Sequence, residues 1–438
     1  MYTILVAGAG HGGLTAAAIL ASAGHNVTVF EKKAEHTLGH DWEDRFTFPL
    51  LAQVLGMDED TFSTEIWRYR GDCAFISPNK EKKIPIHFTP ETRQKIMWRA
   101  PILEMLIRHA KDCGVQFRFS TEVIGPIVED GRVCGLNTAH GSVTGDLVID
   151  AAGVFSPVRS NLPEDFGIEQ SPRRGDLFYA CRTYFNRLPG FPVAREPFEV
   201  FLRHNGEAGL SWCCTNDESV DVLIGRIDPL TDAQIEALQA QLRSEHPWMG
   251  TEVLHGGQRG FIPVRRPLTV MVANGYAAVG DSAFMTTPMN GMGIDLSLQA
   301  GKLLAETVLH AKGDLSAQVL WRYNREFHRR YGAVTAKNDA LKCTILTLPA
   351  EGVDFLFAEE VVEASDLAGG GKDMTFDALR KKLTRGIKQP DTFLTLLNGL
   401  LRGRLVATVY KAPPRVYTRE GVLAWSRRIA SLDIPIEH

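Results

Sequence analysis

Short apolar runs bounded by glycine punctuate the first three quarters of this chain, and amphipathic stretches fill the gaps. YTILVA at 2–7 reads as a buried strand, because a brief apolar run between turn signals fits a strand covered on both faces. A glycine loop and the helix-period stretch LTAAAILASAGH follow, then a second strand, VTVF, at 27–30. Another helical pattern, WRAPILEMLIRHAKDCGV at 98–115, precedes alternating strands up to LVIDAAG at 147–153. Within them Asp130-Gly131 predicts a two-residue hairpin turn. LFYACRTYF, FEVFLRH, GLSWCCT and VDVLIGRI predict a strand-rich block between 175 and 265, YAAV at 276–279 is one more buried strand, and the chain beyond 340 reads as mostly helical. Strand–helix alternation interrupted by a strand-only block predicts an α/β fold with a second sheet inserted.

Composition changes this picture little. The 438 residues, 44% hydrophobic and 23% charged, suit two or three domains with ample cores. A net charge of −4 gives no electrostatic case for nucleic acid. Seven scattered cysteines form no C-x-x-C pair, which disfavours a zinc or iron–sulfur site, and the odd count suits a reducing cytoplasm. No apolar run reaches the ~18 residues of a membrane span.

The chemistry begins in the first glycine loop. Gly8-Ala9-Gly10-His11-Gly12-Gly13 is a G-x-G-x-x-G pattern between strand and helix, with Glu31 closing the second strand. Gly8 permits the turn, Gly10 lets backbone approach a pyrophosphate at the helix N-terminus, and Gly13 lets helix and strand pack closely. Glu31 is placed to accept hydrogen bonds from ribose hydroxyls. A later motif decides which dinucleotide. Gly280-Asp281 follows a strand, and Pro288-Met289-Asn290-Gly291-Met292-Gly293 opens a helix. Free N–H groups and the positive dipole end there suit the partly anionic pyrimidine side of a reduced flavin. Asp281 is placed to bond a ribityl or ribose hydroxyl.

With both loops present, the chain resembles the FAD-dependent oxidoreductases of the para-hydroxybenzoate hydroxylase type, and among them the geranylgeranyl reductase branch. The resemblance covers about residues 1–330 and rests on four segments in order: GAGHGG with Glu31, Arg99, DLVIDAAGVFSPVR at 146–159 and GDSAFMTTPMNGMGI at 280–294. It implies FAD, held by Gly8, Gly10, Gly13, Glu31, Arg99, Val123, Asp281, Pro288, Asn290, Gly291 and Gly293, with Arg99 near the phosphates and Val123 beside adenine. It implies a Rossmann-like FAD-binding domain (1–174 and 266–335) interleaved with a mixed β-sheet substrate domain (175–265) and followed by a helical C-terminal region (336–438).

Several segments leave alternatives open. Trp212 fits the tryptophan of the branch's substrate-sheet motif, but Leu210 and Cys214-Thr215 replace its other members, so it reads as a substrate-facing residue or as a core tryptophan. Cys213 and Cys214 alternate across the strand, so one at most faces a site. Ala152-Gly153 stands where hydroxylases of this type carry Asp-Gly, which is nearer the reductases, cyclases and halogenases. The short motif that carries the halogenase lysine is absent. Gly39-His40-Asp41-Trp42-Glu43-Asp44 falls where these proteins pass the flavin. His40, Asp41 and Trp42 are placed to line the site there, with His40 and Asp41 as candidate catalytic residues and His40 as a general acid; the alternative is a polar helix start capped by Asp41. Arg159 reads as a phosphate contact or a solvated arginine, and Arg265-Arg266 as facing the site or forming surface salt bridges.

The C-terminal stretches LRKKLTRGIK at 379–388 and FLTLLNGLLRGRLVATVY at 393–410 mix apolar and basic residues. They suit an anionic lipid surface, the roof of a greasy channel, or a packed helix pair with a solvated basic face. Gly399 and Gly403 would weaken one long helix there, and 368–371 reads as a loop. The expected function is hydride transfer from reduced FAD to a C=C or conjugated group of a hydrophobic small molecule, with NAD(P)H or another external electron donor. A monooxygenase of the same fold and a non-redox or structural use of FAD are the alternatives. The expected setting is cytoplasmic, with peripheral membrane contact.

Overall fold

Strand Thr3–Ala7 lies inside a six-stranded sheet, and its residues Ile4, Leu5, Val6 and Ala7 are at most 1% exposed. It pairs in parallel with Asn26–Phe30 on one side and Leu147–Asp150 on the other. Gln116–Arg118 and Tyr276–Ala278 extend the parallel pairing, and Val272–Ala273 closes one edge antiparallel. In the computed structural model the described residues are 1–45, 47–56, 67–91, 94–367, 382 and 384–436. The glycine run at 368–371 and the start of the basic stretch at 379–381 lie outside them.

Helices His11–Ser22, Arg99–Asp112 and Ile294–Leu309 form one layer on this sheet, with His11–Ser22 in the middle. Its crossing with Ile294–Leu309 is close because both partners are glycine: a Cβ on Gly301 would lie 2.2 Å from the Gly12 carbonyl oxygen. A three-stranded antiparallel sheet joins Val123–Glu129, Arg132–Thr138 and Gly141–Thr144. Asp130 (φ 48°) and Gly131 (φ 71°) both take left-handed backbone, as the primed hairpin turn predicted for Asp-Gly requires.

The strand-rich block forms a seven-stranded sheet, in the order Met249–Pro263, Leu177–Arg187, Ser219–Arg226, Gly209–Thr215, Phe198–Leu202, Cys73–Ile76, Lys83–Ile86. Its last two strands come from the segment before helix Arg99–Asp112. Alternation gives the sheet two apolar faces. On one, Cys181, Phe185, Val222, Ile224 and Cys213 pack under helix Asp232–Glu245. On the other, cross-strand register aligns Gln258, Arg182, Leu223, Trp212, Val200 and Phe75 in one row. Cys213 and Cys214 fall on opposite faces, both buried.

A second three-stranded sheet, Glu43–Arg45, Lys95–Trp98 and Trp67–Tyr69, stands against that second face. The C-terminal helices cover its far end, where Leu348, Val353, Leu356 and Phe357 meet Phe75, Ile84 and Leu202. Helix Pro390–Lys411 is continuous. Gly399 and Gly403 do not break it, because both are buried where it packs on helix Ala333–Thr347, and a Cβ on Gly399 would meet Thr344 Oγ1 at 1.9 Å. Close packing there outweighs the helix propensity lost at each glycine. Among the described residues no helix is long and apolar enough to cross a membrane.

Gly301→Ala should lower stability by about 1–3 kcal/mol, the usual cost of overpacking. Urea unfolding checks this: the midpoint should fall with little change in slope.

Candidate cofactor and substrate site

The first glycine loop is pressed against the strand end at 150–152. A Cβ on Gly8 (φ +86°) would lie 2.6 Å from the Ala151 carbonyl oxygen, one on Gly10 2.9 Å from the same atom, and one on Gly13 2.5 Å from Ala151 Cβ. These are distances at which a side chain cannot be fitted. The helix that follows starts at Gly10, which has no side chain to cap it, so its first N–H groups are free to meet an anion. Glu31 holds the loop from the other side: its carboxylate accepts Ala9 N–H and Lys33 N–H, each at 2.9 Å. Backbone bonds from Ser120 to Lys33 and from Thr121 to Glu31 lay the approach to Val123 beside this corner. Val123 itself is buried at the head of its strand.

Behind the loop lies a closed polar network. Asp150, fully buried, accepts Ser156 Oγ (2.6 Å), Tyr276 OH (2.8 Å), Ser282 Oγ (2.9 Å) and Ala152 N–H (3.2 Å). Ser282 Oγ in turn accepts Gly153 N–H at 2.9 Å. Arg159 is neither a phosphate contact nor solvated. It is fully buried, donates to the carbonyls of Ser282, Val154 and Gln170, and lies over Phe284. Arg265, buried as well, pairs with Glu169 and Asp176 at 2.8 Å; Arg266 pairs with Asp433 at 2.5 Å. Both arginines are structural because their charges are already met inside the protein.

The second glycine loop is tied to itself by Thr287 N–H to Met292 O and Gly291 N–H to Thr287 O, each 2.8 Å. Pro288 is buried at its base and Asn290 exposed at its tip, where Asn290 Oδ1 accepts Met292 N–H at 3.3 Å. Gly291 (φ +68°) faces the seven-stranded sheet, for a Cβ there would meet Ile262 at 2.9 Å. Gly293 begins helix Ile294–Leu309 with no side-chain cap, and a Cβ on it would lie 3.6 Å from Asp281 Oδ1.

Arg99, the first residue of its helix, joins the two loops electrostatically. It pairs with Asp44 at 2.5 and 2.9 Å. Burial works against Asp44 ionising, yet Arg99 keeps its pKa below the ordinary value. Desolvation pushes Asp281 up to about 6 despite the pull of Arg99. Burial, then the charge of Arg99, lowers His11 to about 4, and the same two causes lower His40. Among the described residues His11 Nε2 and Trp42 Nε1 are buried without a partner, and the Trp42 ring lies 5.8 Å from the Arg99 guanidinium. Glycine-floored loops, two uncapped helix starts, a partly buried cation and two orphaned donor or acceptor atoms fit a dinucleotide with a flavin end.

Residues 39–45 pass along this edge as a loop and a strand. The helix start considered from sequence does not form, because Glu43–Arg45 pairs with Lys95–Trp98 and its two carboxylates are taken by Arg68 and Arg99. His40 stacks on Trp42 at 4.7 Å and contacts Gln258 Oε1 at 3.3 Å. Asp41 Oδ2 accepts Gly256 N–H at 3.0 Å and faces His255 Nδ1 at 3.2 Å. Trp42 lies on the sheet at Gly260, where a Cβ would meet its ring at 2.4 Å.

Trp42 and Trp212 share one apolar cluster with Tyr184, Leu223, Trp98, Phe178, Leu210 and Ile262. Trp212 is therefore on the face that looks toward the second glycine loop, and its indole N–H points to Asp221 at 3.3 Å. Beneath it Arg182 and Asp221 form a buried two-bond pair at 2.7 and 2.8 Å, with a third Arg182 bond to the Glu43 carbonyl at 2.5 Å. Sequence reading missed Trp98, Tyr184, Arg182, Asp221 and Asp44. The available signal was a charge in the middle of each of two apolar strands, Arg182 and Asp221, directly beneath the expected roof.

The fold and site define a flavin-dependent oxidoreductase of the para-hydroxybenzoate hydroxylase type. Residues 1–338 match the FAD binding domain family, and the chain belongs to it. It is 25% identical over 368 residues to digeranylgeranylglycerophospholipid reductase 1 of Methanococcoides burtonii, covering 81% of this chain and 86% of that one. Against the digeranylgeranylglycerophospholipid reductase of Sulfolobus acidocaldarius it is 25% identical over 281 residues, 60% of this chain and 61% of the relative's length. A crystal structure of a geranylgeranyl bacteriochlorophyll reductase-like protein from Thermoplasma acidophilum superposes with a TM-score of 0.73 at 19% identity, covering 91% and 99% of the two chains. A myxobacterial chondrochloren halogenase superposes at 0.60 with 18% identity, covering 96% and 99%. These two likenesses are likenesses of fold.

The raised pKa of Asp281 sets a pH dependence with a definite sign. A carboxyl at about 6 in the native state, against an ordinary 3.8, binds its proton more tightly when folded. Its contribution to stability is present below about pH 4 and lost as pH rises through 6. Relative to Asp281→Asn, the apoprotein should lose stability across that window, as measured by denaturant midpoints at each pH.

Proposed function

We propose that this chain is a reductase that uses FAD to pass hydride to a C=C or similarly conjugated bond of a hydrophobic small molecule. The observation that carries the reading is the face of the seven-stranded sheet above the second glycine loop. Trp98, Phe178, Leu210, Trp212 and Ile262 are only partly buried there, an apolar wall reachable from solvent. A surface of this kind holds a greasy substrate by area and shape. The names of the relatives, lipid reductases, point the same way.

In this reading residues 1–174 and 266–335 hold the cofactor, 175–265 receive the substrate, and the C-terminal region closes the far end of the wall. Gly8, Gly10, Gly13 and Arg99 receive the pyrophosphate, Glu31 the ribose and Val123 the adenine side. Asp281, Pro288, Asn290, Gly291 and Gly293 line the flavin side. Bound FAD supplies the two-electron chemistry, refilled by NAD(P)H or another external donor. The protein supplies the rest. Trp42 and Trp212 orient the substrate and exclude water, and the uncapped start of helix Ile294–Leu309 favours negative charge beside it. His40 and Asp41 stand at the mouth of the wall to deliver the accompanying proton. Peripheral membrane contact suits helix Pro390–Lys411, whose Leu394, Leu401 and Leu405 are more than half exposed.

The test is anaerobic single turnover. The FAD-loaded protein, reduced with dithionite and mixed with geranylgeraniol, should reoxidise as the alcohol gains two hydrogens. Trp212→Ala should slow this by about tenfold or more, the effect of losing roughly 1.5–3 kcal/mol of apolar contact. Flavin that stays reduced with every prenyl or polyene substrate offered, in a protein that binds them, would sink the reading.

A further inference from the structure

An anion already stands beside both glycine loops, and it is part of the chain. In the three-stranded sheet Asp44 lies opposite Met97 and Glu43 opposite Trp98. Successive side chains leave a strand on opposite faces. Glu43 therefore shares the face of Trp98, which belongs to the aromatic wall. Asp44 shares the face of Met97, which is 1% exposed in the core of the cofactor domain.

On that side the Asp44 carboxylate fills one edge of Arg99: Oδ2 accepts Nε at 2.5 Å and Oδ1 accepts Nη2 at 2.9 Å. Only 25% of the Arg99 side chain and 18% of that of Asp44 stay in solvent. Burial opposes both charges and each partner restores the other, so Asp44 is held below and Arg99 above its ordinary pKa. Both charges are felt at His11, the first residue of helix His11–Ser22, and at Asp281, ahead of the second loop. A pyrophosphate that comes to Arg99 thus enters the field of a carboxylate as well as that of a guanidinium.

An arginine paired in this way is a weaker anion site than a lone one. The net charge of the pair is zero, its side-on edge is taken, and like charges brought close cost affinity. The end-on edge stays open, for among the described residues Nη1 of Arg99 makes no hydrogen bond. We propose that Asp44 is a built-in counter-ion of the cofactor site: it offsets Arg99, holds down the affinity for the pyrophosphate of FAD, and makes FAD exchangeable with free dinucleotide. This rests on the reading of Arg99 as a pyrophosphate residue and is independent of what the loaded protein reduces.

Binding of three ligands to the flavin-free full chain tests it. FAD carries both flavin and phosphates, riboflavin flavin alone, and ADP phosphates alone; flavin fluorescence follows the first two and calorimetry the third. In Asp44→Asn, which keeps an oxygen for Arg99, the ratio of FAD to riboflavin affinity should rise at least about tenfold, ADP should gain as much, and FAD should leave more slowly. Asp44→Glu, which keeps the charge, should hold the parent's ratio within about threefold, and Arg99→Met should weaken FAD and ADP at least about tenfold. An unchanged or lower ratio in Asp44→Asn, with Arg99→Met weakened as expected, would overturn the proposal and make Asp44 a group that merely positions Arg99. The ratio decides even if Asp44→Asn melts early, because a loosened site loses both flavins while a site relieved of a charge gains only the ligands with phosphates. Undiminished FAD and ADP binding by Arg99→Met would overturn the reading of Arg99 and this inference with it.

Discussion

Four donors converge on the carboxylate of Asp150, and the geometry of the cofactor cradle follows from that meeting. Ser156 comes from the segment after the middle motif, Tyr276 from the neighbouring strand, Ser282 from the turn after it and Ala152 N–H from the strand end. The strand end, the middle motif and the turn before the second glycine loop are thus tied to one buried atom pair. A buried carboxylate is tolerable only when its lone pairs are filled, so the network is held as a unit. Its position fixes the backbone at 151–152, and the first glycine loop lies so close to that backbone that a Cβ on Gly8 or Gly10 would come within 2.6–2.9 Å of the Ala151 carbonyl oxygen. Glycine at positions 8 and 10 is the consequence, and the free N–H groups at the start of helix His11–Ser22 are the result that matters for binding.

A second constraint joins the two halves of the molecule. Three ion pairs, Arg99–Asp44, Arg68–Glu43 and Arg182–Asp221, lie within or beside the short strand Glu43–Arg45. Arg182–Asp221 is buried on both sides, while Arg68 and Arg99 keep part of their side chains in solvent. A buried pair adds little net stability, but removing one partner of Arg182–Asp221 leaves a charge stranded in a poor solvent, at a cost of about 3–5 kcal/mol. The three pairs act as spacers that fix how the aromatic wall stands over the cofactor loops. Tyr184 OH, which accepts Glu43 N–H at 2.9 Å, makes the same connection without charge. The wall is therefore a rigid surface on a sheet, the kind of element that holds a substrate in place better than a loop does.

Much of the cofactor cradle was legible because its chemistry is backbone chemistry, and backbone chemistry leaves glycine in fixed places. Gly8, Gly10, Gly13, Gly291 and Gly293 could each be read from the turn or close approach it permits. The interior arginines could not. Arg159 and Arg265 look like surface residues in a one-dimensional reading, and only the fold shows the carbonyls and carboxylates that take them inside. Residues 41–44 suited a helix start as well as a stretch lining the site, and the strand that Glu43–Arg45 forms depends on pairing with Lys95–Trp98, about fifty residues on. Gly399 and Gly403 looked like helix breakers because propensity is local, while their close contact with helix Ala333–Thr347 is not. The aromatic wall draws on Trp42, Trp98, Tyr184 and Trp212 from four separate stretches of chain. No spacing rule links them, so only Trp42 and Trp212 were picked out, both through the family resemblance.

The fate of oxygen separates this account from its nearest rival on the same fold. The reduced, FAD-loaded protein would be given geranylgeraniol in the presence of isotopically labelled dioxygen, and the product weighed by mass spectrometry. Hydride transfer predicts a product heavier by two hydrogens with no label. A product carrying one labelled oxygen atom would contradict the reductase and make the protein a monooxygenase.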